Sequence, residues 1–554
     1  MRRFNSARLL IILAAGTSAC ETPSDVADQD PAARLASGGA LDAYPAEREF
    51  RAIAREFPAF GGYFFDEEGN LVVSMKGGGP HADIQARLGE RLHDFRARLP
   101  EPLKAQRSHG RVLVRPAAFT FEELADFRER LGGALSQIDG LVFLDLDETK
   151  NRLTFGISEA SARGRIESLA AQLGVPPATL AFAASGPIVR DIGRERDIPL
   201  QQSTQFQTLW STLRPLRGGV VTHWRKGDGS TTWCTLGFVA QGNHSPHPGA
   251  LVNSHCSDTE WGLDRYVNYY YQSEDVPLNL LGTEDSDPPG YWCYFFWKCR
   301  LSDAAWVSMP GVDAGRGLIA RTTSLGMLGE EGSQVINAND PVFKIVQERT
   351  PVSGEPVEKV GARTGWTLGL IRHTCVDSWG SDGMAHKRGC QHYASYYAYF
   401  GDSGSPVFGL ADGQTESPLE VHLFGIHWGR TADEQYSIFS PITNIKQDHA
   451  GYTSFTTVHP PPLPALSVWL NGDTSPPPNT MQTWTAVPMN GTAPYAYQWL
   501  REGTWVSSEA SYTASSGVAA FTLSVSVTDA LGRTASNQWL IQPECTPGPV
   551  ECPN

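Results

Sequence analysis

The chain has 554 residues and carries 45 Lys and Arg against 60 Asp and Glu, a formal charge of −15. This acidity, with no Lys/Arg run, disfavours a nucleic-acid-binding role. With 41% hydrophobic residues, 15 Trp and 17 Tyr, the chain is not largely disordered. No apolar run reaches the roughly 18 residues that a membrane-spanning helix needs.

In chain order, residues 1–20 come first. Arg2, Arg3 and Arg8 precede the apolar stretch Leu9–Ala15, and Thr17-Ser18-Ala19 precedes Cys20. Charge, apolar core and small residues in that order are an export signal. The short core followed by Cys20 resembles a bacterial lipoprotein signal, in which the Cys becomes the lipidated first residue. Thr17 stands where Leu is usual, and small-x-small also suits ordinary signal peptidase. Both readings stay open, and both give an exported protein that is secreted, periplasmic or held at the cell surface by an N-terminal lipid anchor.

Residues 21–45, rich in Asp, Ala, Ser, Pro and Gly, read as a flexible tether. From 46 to 200 an α+β region is expected. Helical spacing covers Glu47–Glu56, His81–Leu99, Phe121–Leu131 and Glu159–Leu173. Hairpins join Tyr63–Phe65 to Leu71–Ser74 and Leu141–Leu144 to Leu153–Gly156, each around an acidic turn with Asn, a weak internal repeat of helix plus hairpin. From 205 to 455 short Val/Ile/Phe/Tyr/Trp runs alternate with turn residues, an all-β signature. Residues 456–465 contain a stiff Pro-rich linker. Residues 466–542 have the size and alternation of a β-sandwich, and 543–554 form a Cys-containing tail. Core positions suit Trp469, Trp484, Trp499, Trp505 and Trp539 better than a surface stripe.

Setting Cys20 aside, the remaining Cys fall into near neighbours: Cys234/Cys256, Cys293/Cys299, Cys375/Cys390 and Cys545/Cys552. In an exported chain, local disulfides are the simplest connectivity. No Cys-x-x-Cys pair is present, and His244 and His247 have no third ligand nearby, so neither a metal nor any other cofactor is expected.

Three segments of the β region carry reactive groups: Val252-Asn253-Ser254-His255-Cys256, Leu301-Ser302-Asp303 and Gly401-Asp402-Ser403-Gly404-Ser405-Pro406. A serine nucleophile needs a base to take its proton, and the base needs an acid to orient it. The order His, Asp, Ser, with 48 and then 100 residues between them, is that of the chymotrypsin arrangement. Nearby Asp258 and Asp264 read as solvated loop charges.

Residues 215–450 resemble the chymotrypsin-like serine endopeptidases, and among them the streptogrisin and α-lytic protease group. The carrying residues are the Gly-Asp-Ser-Gly-Ser-Pro segment, Cys234 placed 22 residues before Cys256, Leu216-Arg217-Gly218-Gly219, and Gly361-Ala362-Arg363-Thr364-Gly365. Ser254 and Ser405 depart from the usual Ala and Gly.

The resemblance implies an all-β double-barrel, trypsin-like domain acting on polypeptides. Ser403 would be the nucleophile, His255 the general base and Asp303 its orienting acid, with the N–H groups of Gly401 and Ser403 as oxyanion donors. Gly404 would allow the tight turn beside the nucleophile. His427, Trp428 and Gly429 would line the substrate strand. A similar Gly-Ile-His-Trp-Gly run occurs in glutamyl endopeptidases, so His427 and Arg430 point to cleavage after Glu or Asp, while His427 bonding only within the site is the other reading. Lys359 is expected to pair with Asp402.

Residues 46–200 resemble the pro-regions of that group, implying an intramolecular inhibitor or folding aid, with a cut near Leu213–Gly218; a permanent accessory domain is the alternative. Tyr495–Trp499 and Val525–Gly532 resemble immunoglobulin-like or polycystic-kidney-disease-type domains. A catalytically silent, protease-like surface module is the alternative function, and a structural envelope lipoprotein another.

Overall fold

The structure, a computed structural model, describes residues 44–544 apart from 78–81, 194–205, 226–230, 244, 264–267, 274–276, 295–296, 381–385, 412–418 and 461–463. The export signal with Cys20, nearly all of the tether, His244, Asp264, Cys545 and Cys552 lie outside the described residues.

The first half opens with α1 (Arg48–Glu56), β1 (Phe60–Phe65), β2 (Leu71–Lys76), α2 (Ala82–Ala97), α3 (Glu101–Arg107) and β3 (Val112–Ala117). There follow α4 (Phe121–Leu135), β4 (Leu141–Asp147), β5 (Arg152–Ile157), α5 (Ala160–Gln172), β6 (Leu180–Ala184) and β7 (Ile188–Arg190). The helix-plus-hairpin repeat is therefore fuller than its sequence signal. Each copy reads helix, antiparallel hairpin, helix, third strand, with β3 parallel to β2 and β6 parallel to β5. A parallel pair needs a long crossover, which the helices supply. Pro116 is tolerated because β3 is an edge strand. Asn151, at positive φ in the β4–β5 turn, ties the copies together: its Oδ1 accepts from the N–H groups of Ala118 and Phe119 and its Nδ2 donates to the carbonyl of Gly61.

Residues 216–456 are dominated by two sheets. In the first, strands run in the order Thr231–Thr235, Val221–Arg225, Tyr269–Gln272, Leu280–Ser286, Ala305–Ser308, Pro248–Val252, Val239–Gly242, Phe455–Thr456. In the second, His386–Ala394, Ser437–Pro441, Glu420–Thr431, Pro406–Leu410, Pro356–Gly361 and Gly365–Trp379 pair in turn, and the last pairs back onto the first, closing a ring. Closure leaves no free edge around the ring. The strand Gly365–Trp379 is long enough to overrun its neighbour Pro356–Gly361, and on the edge left open Asp377 and Ser378 pair with Leu144 and Phe143 of β4. Val142, Phe143 and Ile188 bury against Val376, Tyr393, Trp428 and Ile438. The α+β region thus shares a core with the β region, and the described residues through His459 form one compact unit.

Glu358, buried in the ring, accepts a hydrogen bond from Trp366 Nε1 at 2.7 Å. Burial pushes its carboxyl up to about 7, against the weaker pull of Trp366 and Arg321. A raised folded-state value favours the protonated fold, so its contribution is complete at low pH and is lost as pH rises toward 7. Glu358→Gln is expected to unfold in urea at higher concentration than wild type at pH 8, by roughly 1–3 kcal/mol, with the difference gone near pH 4.

From Pro460 onward the chain forms a second unit. One sheet orders Ser467–Asn471, Met481–Met489, Ser511–Ser515; the other orders Thr504–Ser507, Ala496–Arg501, Phe521–Thr528, Thr534–Ile541. Alternation puts Val468, Leu470, Trp484, Trp499, Leu523, Val525 and Val527 into one core. Of the five Trp, Trp484 and Trp499 are core, Trp539 is half-buried, and Trp469 and Trp505 are exposed.

Candidate active site

His255 sits on the short turn Ser254–Cys256 that ends the strand Pro248–Val252, and the Cys234–Cys256 disulfide ties that turn to the strand Thr231–Thr235. Asp303 lies just ahead of the strand Ala305–Ser308, and Ser403 just ahead of Pro406–Leu410. The two sheets bring these segments together. Ser403 Oγ lies 2.8 Å from His255 Nε2, and His255 Nδ1 lies 2.9 Å from Asp303 Oδ2. The backbone N–H of His255 donates to Asp303 Oδ1 at 3.1 Å. The Asp303 backbone is pinned in turn, its N–H donating to Ser440 Oγ and its carbonyl accepting from Asn253 Nδ2.

Arg388 also faces the acid. Its Nε and Nη2 donate to Asp303 Oδ2 at 3.0 and 2.8 Å, and the guanidinium lies over the Trp428 ring. Burial pushes the Asp303 carboxyl upward, but the charges of His255 and Arg388 outweigh it and hold the carboxyl well below the usual carboxylate range. Asp303 therefore stays ionised. Arg388 also pairs with Glu260, which pairs with Arg190 at 2.7 Å.

The backbone N–H groups of Gly401 and Ser403 converge on a single oxygen, the carbonyl of Asp191, at 2.6 and 3.2 Å. Gly404 has φ +95, and a Cβ there would come within 1.9 Å of the Thr235 carbonyl, so only glycine fits this turn. Asp402 faces away from the nucleophile. Its Oδ2 lies 3.1 Å from Lys359 Nζ, with both side chains fully buried, and accepts from Thr364 Oγ1 and the Tyr399 N–H; its Oδ1 accepts from the N–H groups of Arg363 and Thr364.

His427, Trp428 and Gly429 lie on the strand Glu420–Thr431 beside Ser403. The Trp428 carbonyl lies 3.2 Å from Ser403 Oγ. His427 is fully buried; its Nδ1 lies 3.2 Å from the Tyr396 hydroxyl and its Nε2 3.0 Å from Asp191 Oδ2. Arg430 Nε lies 3.0 Å from Asp191 Oδ1.

The two departures from the family pattern have local reasons. Ser254 Oγ donates to Asp287, itself paired with Arg300, and Ser405 Oγ donates to the Asp402 carbonyl. Cys234–Cys256, Cys293–Cys299 and Cys375–Cys390 are disulfide-bonded. Asp258 is exposed. Sequence reasoning missed Asp191, Glu260 and Arg388, since none lies in a recognisable local motif.

No protein-family model matches the chain, and no curated protein matches it. Solved structures similar to it include serine proteases. Thermobifida fusca protease A is 18% identical, with 44% of this chain and 98% of that one covered at a TM-score of 0.29. A glutamic acid specific serine protease that utilizes a histidine triad in substrate binding is 18% identical, with 42% and 98% covered at 0.29. Nocardiopsis protease is 16% identical, with 42% and 94% covered at 0.25.

Proposed function

We propose that the chain is an exported serine endopeptidase of trypsin-like, double-barrel fold. It is made as a precursor whose residues 46–200 act as an inhibitory or folding-assisting pro-region. The carrying observation is the buried relay from Ser403 Oγ through His255 to Asp303, at 2.8 and 2.9 Å, beside two N–H groups that meet on one carbonyl oxygen. His255 takes the Ser403 proton as Oγ attacks the peptide carbonyl and delivers it to the leaving amine, while Asp303 stabilises the imidazolium. Gly401 and Ser403 N–H groups hold the developing oxyanion, each such donor being worth about 2.7–4 kcal/mol. The disulfides support an oxidising compartment outside the cytosol.

The test is a fluorophosphonate probe, which reacts with activated serines. Protein freed of its N-terminal region is expected to label, and Ser403→Ala to stay unlabelled. A folded wild-type protein, freed of that region and still inert, sinks the proposal.

A further inference from the structure

Residues 186–193 run through the site as a bound polypeptide does. Ile188, Val189 and Arg190 pair antiparallel with Thr431, Arg430 and Gly429. The Asp191 N–H approaches the Trp428 carbonyl at 3.5 Å, and the Asp191 carbonyl oxygen sits between the N–H groups of Gly401 and Ser403. Past the next peptide bond, Gly193 N–H donates to the Trp233 carbonyl at 2.9 Å, and Ile192 packs against the core of the β region. The chain is thus gripped on both sides of the Asp191–Ile192 bond.

Backbone pairing is blind to sequence, so selectivity comes from the side chains. The fully buried Asp191 carboxylate is held between His427 Nε2 and Arg430 Nε, each at 3.0 Å. A carboxylate without partners at that depth is costly, and the His427 hydrogen bond and the Arg430 charge are the compensation. Arg190 Nη1 reaches Glu260 Oε2 at 2.7 Å. Leu216–Gly218, near the cut expected from sequence, are instead buried in a parallel pair with Ala314–Ala320.

Building on the endopeptidase reading, we infer that Asp191–Ile192 is the bond this chain hydrolyses in itself, and that the same groove selects Arg followed by Asp in other polypeptides. Ser403 Oγ attacks the Asp191 carbonyl carbon and its proton passes to His255 Nε2. The bond to Ile192 nitrogen breaks, and that nitrogen takes the proton to become the new terminal amine. Water then attacks the Asp191–Ser403 ester: its hydroxyl stays on Asp191, and its remaining proton returns through His255 to Ser403 Oγ. The products are an N-terminal piece ending in Asp191 and a polypeptide starting at Ile192.

The test uses the full chain. Wild type is expected to release a piece whose last residue by mass spectrometry is Asp191. Reading that end keeps the result separate from trimming at the second Arg-Asp-Ile, residues 196–198. Ser403→Ala stays whole until a trace of processed wild type cuts it at the same bond. Asp191→Ala slows release by on the order of 100-fold or more. Should that variant fail to fold, processed enzyme acting on a peptide of residues 186–193 gives the same reading, the expected cut being between Asp and Ile. Its preference for Val-Arg-Asp over Val-Ala-Asp peptides is expected to vanish in Glu260→Gln. Release ending elsewhere, or Asp191→Ala processed at the wild-type rate, overturns the inference. So does wild type that stays whole yet cuts added peptides, and in that case the endopeptidase reading stands. Protein freed by another protease that neither labels nor cuts any peptide overturns both.

Discussion

Ser403→Ala and His255→Ala are each expected to lower kcat for peptide hydrolysis by about 10⁵–10⁶, and the double variant to be no worse than either. The reason is that the two groups act as one device. His255 Nε2 is useful only with the Ser403 hydroxyl 2.8 Å away, and the hydroxyl is a weak nucleophile without it. The residual rate comes from the Gly401 and Ser403 N–H groups and from binding, which neither change touches. Asp303→Asn should cost less, about 10⁴, because the imidazole keeps its place but loses its stabilising charge. The measurement is kcat on a chromogenic peptide with processed protein. Losses of less than about tenfold, or additive losses in the double variant, would show that the relay is not the reacting device.

Lys359→Met is expected to produce the largest loss of stability. Asp402 is fully buried, and burial alone would push its carboxyl up; the Lys359 ammonium, the Thr364 hydroxyl and neighbouring N–H groups overcome this and hold it below its ordinary value. Removing the ammonium leaves a buried carboxylate with hydrogen bonds but without its counter-charge, at a cost of about 3–5 kcal/mol. That is a large share of a typical stability of about 5–15 kcal/mol. Urea unfolding of the Ser403→Ala background reads the loss without self-digestion. Adding Asp402→Asn should recover most of it, because the charge itself is then gone. A Lys359→Met midpoint equal to that of the parent would show that the pair stabilises nothing.

The segments around His255, Asp303 and Ser403 were legible in the sequence because each is a short run of small and reactive residues at telling spacing. The groups that complete the site were not. Arg388 reaches Asp303 across 85 residues and Glu260 across 128, contacts set by how the sheets close rather than by any local pattern. Asp191 stands in an unremarkable Arg-Asp-Ile triplet, and its place follows from β7 pairing with a strand more than two hundred residues away. In the α+β region the amphipathic helices and hairpins were readable. The third strands were not, since β3 contains Pro116 and β6 is largely Ala.

The duplicated helix-and-strand unit repeats its attachment as well as its fold. In the second copy the outer edge of the first hairpin strand, β4, pairs with Asp377 and Ser378. The corresponding edge in the first copy, β1, donates the Phe65 N–H to the Ser353 carbonyl at 2.9 Å. The next residue, Gly354, has φ +86, and a Cβ there would lie 1.8 Å from the Phe65 carbonyl oxygen. One edge is thus used twice along the strand Gly365–Trp379, since Gly354 N–H itself donates to the Ile371 carbonyl of that strand. Grips on one folded piece act as a multivalent ligand: when one opens, the others keep it at an effective concentration in the range of roughly millimolar. Escape of the N-terminal piece after a cut at Asp191 therefore depends on these edges and the β7 pairing being open at once, so its residence time far exceeds that of any one grip alone.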